Sequence, residues 1–318
     1  MMKRRSDFRF SKASLFSVVI AVTTLLSGVL PVSAQDGVGI FQRSRNQPPN
    51  FPQASQDLGT PTYVPVDDED LGMILLLQER QKYSPFSLAI SSGLYYTDNA
   101  FLTETNTIED AYWWNSLGLS YKPQLFGSLA ADFTFGYDLV RYESNSELDY
   151  DEMEVGAGLL YILRDLGDLS LFGRYQYDRL MEPRDYSEIF VQHEIAVGFY
   201  KPFIINQNQF LYLRMSAEFG LDANPDPAKQ NDYSGILGYR LTVLDDISVE
   251  PYYRARFLDF DGGREDLSHQ VGLAINCRLG DSWYLGATGY YLTNDSNRAD
   301  GDFEAGTIGG QIGFQKRF

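Results

Sequence analysis

From residue 85 to the C-terminus, apolar and polar side chains alternate in short stretches that are separated by turn residues. In residues 211–219 one face reads Leu, Leu, Met, Ala and Phe, whereas the opposite face reads Tyr, Arg, Ser and Glu. Residues 247–257 and 271–279 follow the same scheme. Because successive side chains of a strand point to opposite faces of a sheet, this period of two predicts β-strands.

Twelve such stretches can be counted, and tight turns alternate with longer loops rich in Asp, Glu and Asn between them. Most stretches exceed the roughly 9–11 residues that a tilted strand needs to cross a bilayer. Short turns at one end and long loops at the other are typical of transmembrane barrels. The pattern therefore predicts an all-β fold, a closed antiparallel transmembrane β-barrel of about twelve strands with up-and-down topology. The stretches cover residues 86–97, 111–122, 128–142, 152–163, 169–180, 189–200, 209–222, 233–244, 247–258, 267–279, 283–293 and 303–318.

A soluble β-sandwich is the alternative, because it also has one apolar and one polar face on each strand. Two features favour the barrel. The polar face carries many Gly, Ser, Thr and ionised residues, as a water-filled interior allows, and aromatic residues gather near the ends of the stretches. Aromatic residues at both interfaces are typical of membrane barrels.

The first 34 residues predict a signal peptide that is cleaved during export. A basic opening with Lys3, Arg4 and Arg5 precedes an apolar run over residues 15–30, and small residues end at Ala34. An uncleaved anchor is the alternative, but the run is short for a spanning helix and ends in Pro31. We therefore expect the mature chain to begin at Gln35.

Residues 35–84 predict a periplasmic tether that is partly disordered. The segment 46–65 is rich in Pro, Gln, Asn and Ser and has no apolar period. Residues 67–84 begin with four acidic residues and continue with an apolar run, and they could form a short helix, a strand or a plug. The predicted domains are thus 1–34, 35–84 and the barrel at 85–318.

Charge and composition exclude several classes of function. The formal net charge is −17, and removing the basic residues 1–34 makes it more negative, which argues against a nucleic-acid partner. The single Cys277 excludes an internal disulfide, and His193 and His269 lie far apart without metal-ligand spacing. We therefore expect no metal site and no cofactor.

The C-terminus carries a family resemblance. Residues 308–318 read Ile-Gly-Gly-Gln-Ile-Gly-Phe-Gln-Lys-Arg-Phe, which resembles the C-terminal signature of bacterial outer-membrane proteins and, with the pattern over 85–318, porin-like barrels. The resemblance implies that the barrel assembly machinery reads Ile312, Phe314 and Phe318. Lys316 departs from it, since an apolar or aromatic residue is usual there. An outer-membrane location with lipid and lipopolysaccharide around the barrel follows from the same resemblance, which identifies no subfamily.

The polar faces of the stretches supply candidate pore-lining residues. Charged rings set selectivity in pores, so a basic wall opposite an acidic one would orient polar solutes. The alternative is that these charges neutralise one another and hold the barrel closed. The candidates are Arg174, Arg214, Arg240, Arg254, Arg256, Arg278, Asp132, Asp138, Glu154, Asp178, Glu194, Glu218 and Glu250.

No catalytic residue is predicted. Some twelve-stranded barrels are phospholipases with Ser and His on the outer wall, and His193 and His269 do share the apolar face. Neither is followed by a nucleophile with an orienting partner. The acidic loops offer oxygen ligands but lack the full calcium-loop spacing.

The leading functional prediction is a porin-like channel for passive passage of small polar or charged solutes across the outer membrane. One alternative is a non-conducting structural barrel that anchors a periplasmic or surface partner. Another is the outer-membrane component of an export system. The sequence leaves the solute, the oligomeric state and the role of residues 35–84 open.

Overall fold

The computed structural model describes residues 84–318, which form a single closed sheet of antiparallel strands. The predictions for residues 1–34 and for the tether up to residue 83 lie outside the described residues. Within residues 84–318, no helix is long and apolar enough to cross a membrane. The strands are β1 (Phe86–Thr97), β2 (Asp110–Tyr121), β3 (Gln124–Phe126), β4 (Leu129–Tyr142), β5 (Tyr150–Leu163), β6 (Leu169–Met181), β7 (Glu188–Asn206), β8 (Gln209–Asn224), β9 (Gln230–Leu244), β10 (Ile247–Phe260), β11 (Glu265–Arg278), β12 (Trp283–Ser296) and β13 (Phe303–Arg317).

Each long strand pairs with its neighbours along the chain, and β1 pairs with β13 to close the barrel. The three-residue β3 belongs to the turn between β2 and β4, which also pair directly with each other. Twelve long strands therefore form the wall, as predicted. Single 3₁₀ turns lie in the connections at Ser146–Leu148, Arg164–Leu166, Asp226–Ala228 and Ala299–Gly301.

The longer connections, such as residues 98–109, lie at one end of the barrel, here called the loop end. The short turns and the C-terminus lie at the other, here called the turn end. Several strands run further than predicted. The predicted end of β7 at residue 200 is wrong because Lys201 and Pro202 look like a turn in sequence, yet Pro202 stays in register with Tyr212 and the strand continues to Asn206.

The alternation along the strands separates two faces. Outward apolar side chains are widely exposed, with Val271 at 60% and Ile308 at 51%, whereas inward polar ones such as Arg256 at 2% are buried. An apolar exterior around a polar interior is the arrangement that a bilayer requires.

A belt of tyrosines surrounds the exterior near the loop end. In five of the six hairpins that turn at the loop end, an outward Tyr on the first strand contacts a polar side chain nearer the loop, which lies on the second strand or, for Glu109, directly before it. Amphipathic rings of this kind suit the boundary between lipid and water. The pairs are Tyr96–Glu109, Tyr137–Asp151, Tyr175–His193, Tyr253–His269 and Tyr291–Glu304.

Inward tyrosines lie flat against glycines of the adjacent strand. A Cβ built on Gly309 would lie 2.2 Å from Tyr95 Cδ1 and 2.7 Å from the Leu94 carbonyl oxygen. The rings therefore lie along the wall, where only glycine leaves room for them. The same contact recurs at Tyr212–Gly238, Tyr252–Gly272 and Tyr284–Gly313.

Candidate pore and its lining

All thirteen candidate pore-lining residues lie on the inward positions of their strands. The carboxylates come from β4 to β8 and β10, and the arginines from β6 and β8 to β11. Inward positions alternate with outward apolar residues along every one of these strands, as at Glu194, which is 0% exposed, and Ile195, which is 42% exposed. A pore-lining role for the set stays a prediction.

Two ion pairs join β9 to β10 inside the barrel. Arg240 Nε donates to Glu250 Oε2 at 2.6 Å, and the Tyr212 hydroxyl donates to the other oxygen of Glu250 at 2.7 Å. Arg256 Nε donates to Asp232 Oδ2 at 2.7 Å, and both side chains are almost fully buried. These carboxylates are held by fixed donors, which offset the cost of removing them from water.

Looser contacts extend the charged lining toward β5. Arg174 Nη2 lies 3.8 Å from Glu154 Oε1. The guanidinium of Arg214 stands over the Phe172 ring, 5.8 Å from its centroid. Such stacking keeps an arginine against the wall without a carboxylate partner at bonding distance.

Four buried residues on β6 and β7 form a carboxylate–amide patch, defined as Gln176, Asp178, Gln192 and Glu194. Gln192 Nε2 donates to Glu194 Oε2 at 2.7 Å, and Gln176 Nε2 lies 3.2 Å from both oxygens of Asp178. In register, Gln176 is opposite Glu194 and Asp178 is opposite Gln192. The amide oxygens of both glutamines accept no hydrogen bond within residues 84–318. This patch therefore concentrates oxygen acceptors in the lumen.

The arrangement corrects the expectation of a basic wall facing an acidic one. Arginines and carboxylates are interleaved on neighbouring strands, as in the pairs Arg240–Glu250 and Arg256–Asp232. The Cβ atoms of inward side chains on adjacent strands are about 5 Å apart. Opposite charges on adjacent strands therefore pair with each other, and two separate walls of opposite charge do not form. Arg278 lies at the turn end and pairs there with Asp246.

The sequence prediction missed inward residues near the strand ends. Asp232 and Asp266 are buried in the lumen, and Asp266 accepts a hydrogen bond from Arg264 at 2.8 Å. The predicted strands began at residues 233 and 267, so both residues were assigned to loops. Extending each predicted strand by one residue at its start would have found them.

The loop end of the lumen is covered on one side by an apolar cap. Inward aromatic residues of β1 and β2, such as Tyr95 and Trp114, pack with loop residues Phe101 and Leu148. Phe101 is 2% exposed and Leu148 is 0% exposed. The loops therefore fold into the mouth and narrow it.

Polar anchors hold these loops in place. Asp110 accepts hydrogen bonds from the backbone N–H groups of Ser144 and Asn145, and Asn99 Nδ2 donates to the Thr103 and Glu304 carbonyl oxygens at 2.7 and 2.8 Å. Burial raises the pKa of Asp149, although a backbone hydrogen bond from Tyr142 opposes the shift. The loop-end cover is thus hydrogen-bonded to the barrel rim.

At the turn end, the barrel mouth contains a cavity of about 190 Å³. It lies among the ends of β9 to β13, and Arg240, Asn276, Arg278 and Gln315 line it. The two ends of the lumen therefore differ: one is covered by apolar side chains and the other opens beside polar ones.

Comparison with known proteins bears on the fold. A scan of protein-family models and a search of curated proteins found no match. An outer-membrane channel from Pseudomonas putida F1 superposes with a TM-score of 0.52 at 13% identity, over 76% of this chain and 99% of that one. The chain has the fold of an outer-membrane β-barrel. This agrees with the strand count, the closure and the apolar exterior described above.

Two porin structures resemble this barrel more loosely. The NanC porin has a TM-score of 0.44 at 8% identity, over 71% of this chain and 98% of that one. The KdgM porin, in complex with disordered oligogalacturonate, has a TM-score of 0.39 at 13% identity, over 72% of this chain and 99% of that one. Similarities of this size add nothing to the fold assignment.

Proposed function

We propose that the protein lies in the outer membrane and that its barrel is a channel for passive passage of small polar or charged solutes. The observation that carries this proposal is the band of inward ionised residues on β4 to β10 inside a closed barrel. A barrel that served only as an anchor has no need of so many buried charges, because apolar side chains fill a lumen at lower desolvation cost.

The described geometry favours small solutes. Twelve strands enclose a lumen between that of filled eight-stranded barrels and that of wide sixteen-stranded porins. Paired charges such as Arg256 and Asp232 occupy part of it. We further propose that the loop end faces the cell exterior, so that the apolar cap restricts entry from that side.

The same proposal covers membrane insertion. Lipid and lipopolysaccharide would surround the apolar exterior, and the barrel assembly machinery would read the last strand. Ile312 and Phe318 are outward and exposed, and Phe314 packs against Trp283 with ring centroids 5.2 Å apart. These positions suit a signal that is read from the outer side of β13.

Single-channel recording of the refolded mature protein in a planar bilayer tests the channel. We expect discrete conductance steps, and we expect Arg254→Ala to shift the reversal potential toward cation selectivity because a lumen cation is lost. Arg179→Ala removes the same charge from the outer face of β6, where Arg179 lies near Glu188, and should leave selectivity unchanged.

A folded barrel that never conducts would overturn the proposal and favour the anchoring role. If Arg254→Ala and the wild type conduct with the same reversal potential, the lumen charges do not lie on the conduction path. Folding is checked independently by the shift in gel mobility between boiled and unboiled samples.

A further inference from the structure

The lipid-facing surface carries one polar pair in the middle of the wall. Ser92 on β1 and Asn115 on β2 point outward, and Ser92 Oγ donates a hydrogen bond to Asn115 Oδ1 at 2.7 Å. The two residues are directly opposite each other in the β1–β2 register. Each stands near the midpoint of its strand, so both lie at the depth of the hydrocarbon core.

This pair is exceptional among the outward side chains of residues 84–318. In the middle of the other long strands the outward residues are apolar, aromatic or glycine. Outward ionised residues lie toward the strand ends, as Arg141 and Arg179 do at the loop end and Lys201 and Lys316 do at the turn end. Among residues 84–318, outward polar side chains at the depth of the middle of the bilayer therefore occur on β1 and β2 alone.

The pair leaves donors unused. Asn115 Oδ1 accepts the serine hydroxyl, but within the described chain Asn115 Nδ2 donates no hydrogen bond. In hydrocarbon neither lipid tails nor water can accept those two N–H groups, and an unsatisfied amide costs several kcal/mol. The cost is removed if another protein surface supplies an acceptor at the same depth.

Small outward residues lie one and two strands away from the pair, on β13 and β12. Outward positions on the neighbouring β12 and β13 hold Ala287, Gly289 and Gly310, and Ala287 is opposite Gly310 in register. Small residues at a membrane interface let two backbones come close together. Larger exposed side chains, namely Trp113, Ile308 and Ile312, surround the pair and these small residues, and Ile312 is directly opposite Ser92 in register.

We propose that this area is the contact between two copies of the barrel. It is called here the β1–β13 face and consists of Ser92, Asn115, Ala287, Gly289 and Gly310. An asparagine amide has both donors and an acceptor, so two Asn115 side chains related by a twofold axis satisfy each other. Self-complementarity of this kind is what an isologous contact requires, and a different partner would need its own polar group at the same depth.

Cysteine crosslinking in intact outer membranes tests the contact. In a Cys277→Ser background, Asn115→Cys is expected to give an oxidised dimer of this chain. Leu237→Cys is the matched control, because Leu237 is outward, exposed and mid-strand on β9, across the barrel. Equal crosslinking at both positions would indicate random collision and overturn the proposal, as would a crosslink of Asn115→Cys to a different protein.

Measurement of association in detergent or nanodiscs provides the second test. Asn115→Leu keeps the size of the side chain and removes its amide, so it is expected to weaken dimerisation about threefold or more, whereas Ser116→Ala on the inward side should not. A wild-type barrel that stays monomeric at all concentrations, or an unchanged dimer in Asn115→Leu, would overturn the proposal. Both readouts are independent of whether the barrel conducts.

Discussion

The lumen wall consists of two arcs that are built differently. The charged arc, β4 to β10, is lined by buried ion pairs such as Arg256–Asp232. The uncharged arc, β11 to β13 with β1 and β2, carries inward ionised side chains only near its strand ends. There, inward rings such as Tyr95 rest on glycines of the next strand, a contact that the charged arc also contains once, at Tyr212–Gly238.

The two arcs illustrate two ways of filling the lumen of a small barrel, with aromatic rings packed on glycines or with buried ion pairs. Ring-on-glycine packing gains apolar burial and dispersion contacts without any desolvated charge. Buried ion pairs give little net stability over apolar packing, because their desolvation cost is large. The uncharged arc is therefore suited to holding the barrel together, whereas under the proposed channel function the charged arc would contact the solutes.

The largest effect is expected from breaking a pair in the charged arc. Arg256→Ala removes the guanidinium that donates a hydrogen bond to the buried Asp232, and loss of one partner of a buried pair costs about 3–5 kcal/mol. Urea unfolding from lipid vesicles measures the free energy of unfolding. Adding Asp232→Asn should recover part of the loss, and a cost under about 1 kcal/mol for Arg256→Ala would show that the pair is well hydrated.

A smaller loss is expected from disturbing the uncharged arc. In Gly309→Ala the new methyl group would clash with Tyr95 and with the Leu94 carbonyl, and overpacking costs about 1–3 kcal/mol. Gly118→Ala is the control, because its methyl group would meet only Ala89 Cβ at 3.8 Å. Equal unfolding curves for the two variants would contradict the ring-on-glycine interpretation.

The smallest effect is expected at the turn end. Arg278 and Asp246 are both more than half exposed, and exposed pairs contribute less than about 1 kcal/mol. Arg278→Ala should therefore leave the unfolding curve almost unchanged while altering the charge of the mouth cavity. A loss comparable with that of Arg256→Ala would mean that burial does not distinguish the two pairs.

The sequence predicted the inward face better than the contacts within it. A period of two is enough to place residues such as Arg254 and Glu218 on the polar face. The same periodicity does not predict that Arg256 pairs with Asp232 or that the Tyr95 ring lies on Gly309, because those contacts depend on the register between strands. The apolar cap was not predicted either, because Phe101 and Leu148 lie in polar loops where strand periodicity gives no information.

The pairing of β1 with β13 has a consequence for how the chain reaches this structure. The eleven residue pairs of that seam join the two ends of the barrel, from Ser87↔Arg317 to Thr97↔Thr307. Until the final strand has been synthesised and placed, the sheet has two open edges that can pair with other chains. Closure also brings together residues more than 200 positions apart, and contacts of such long range form slowly. A chain that lost β13 would therefore be left as an open, aggregation-prone sheet, so the pairing of this one strand decides whether the other strands reach their final state.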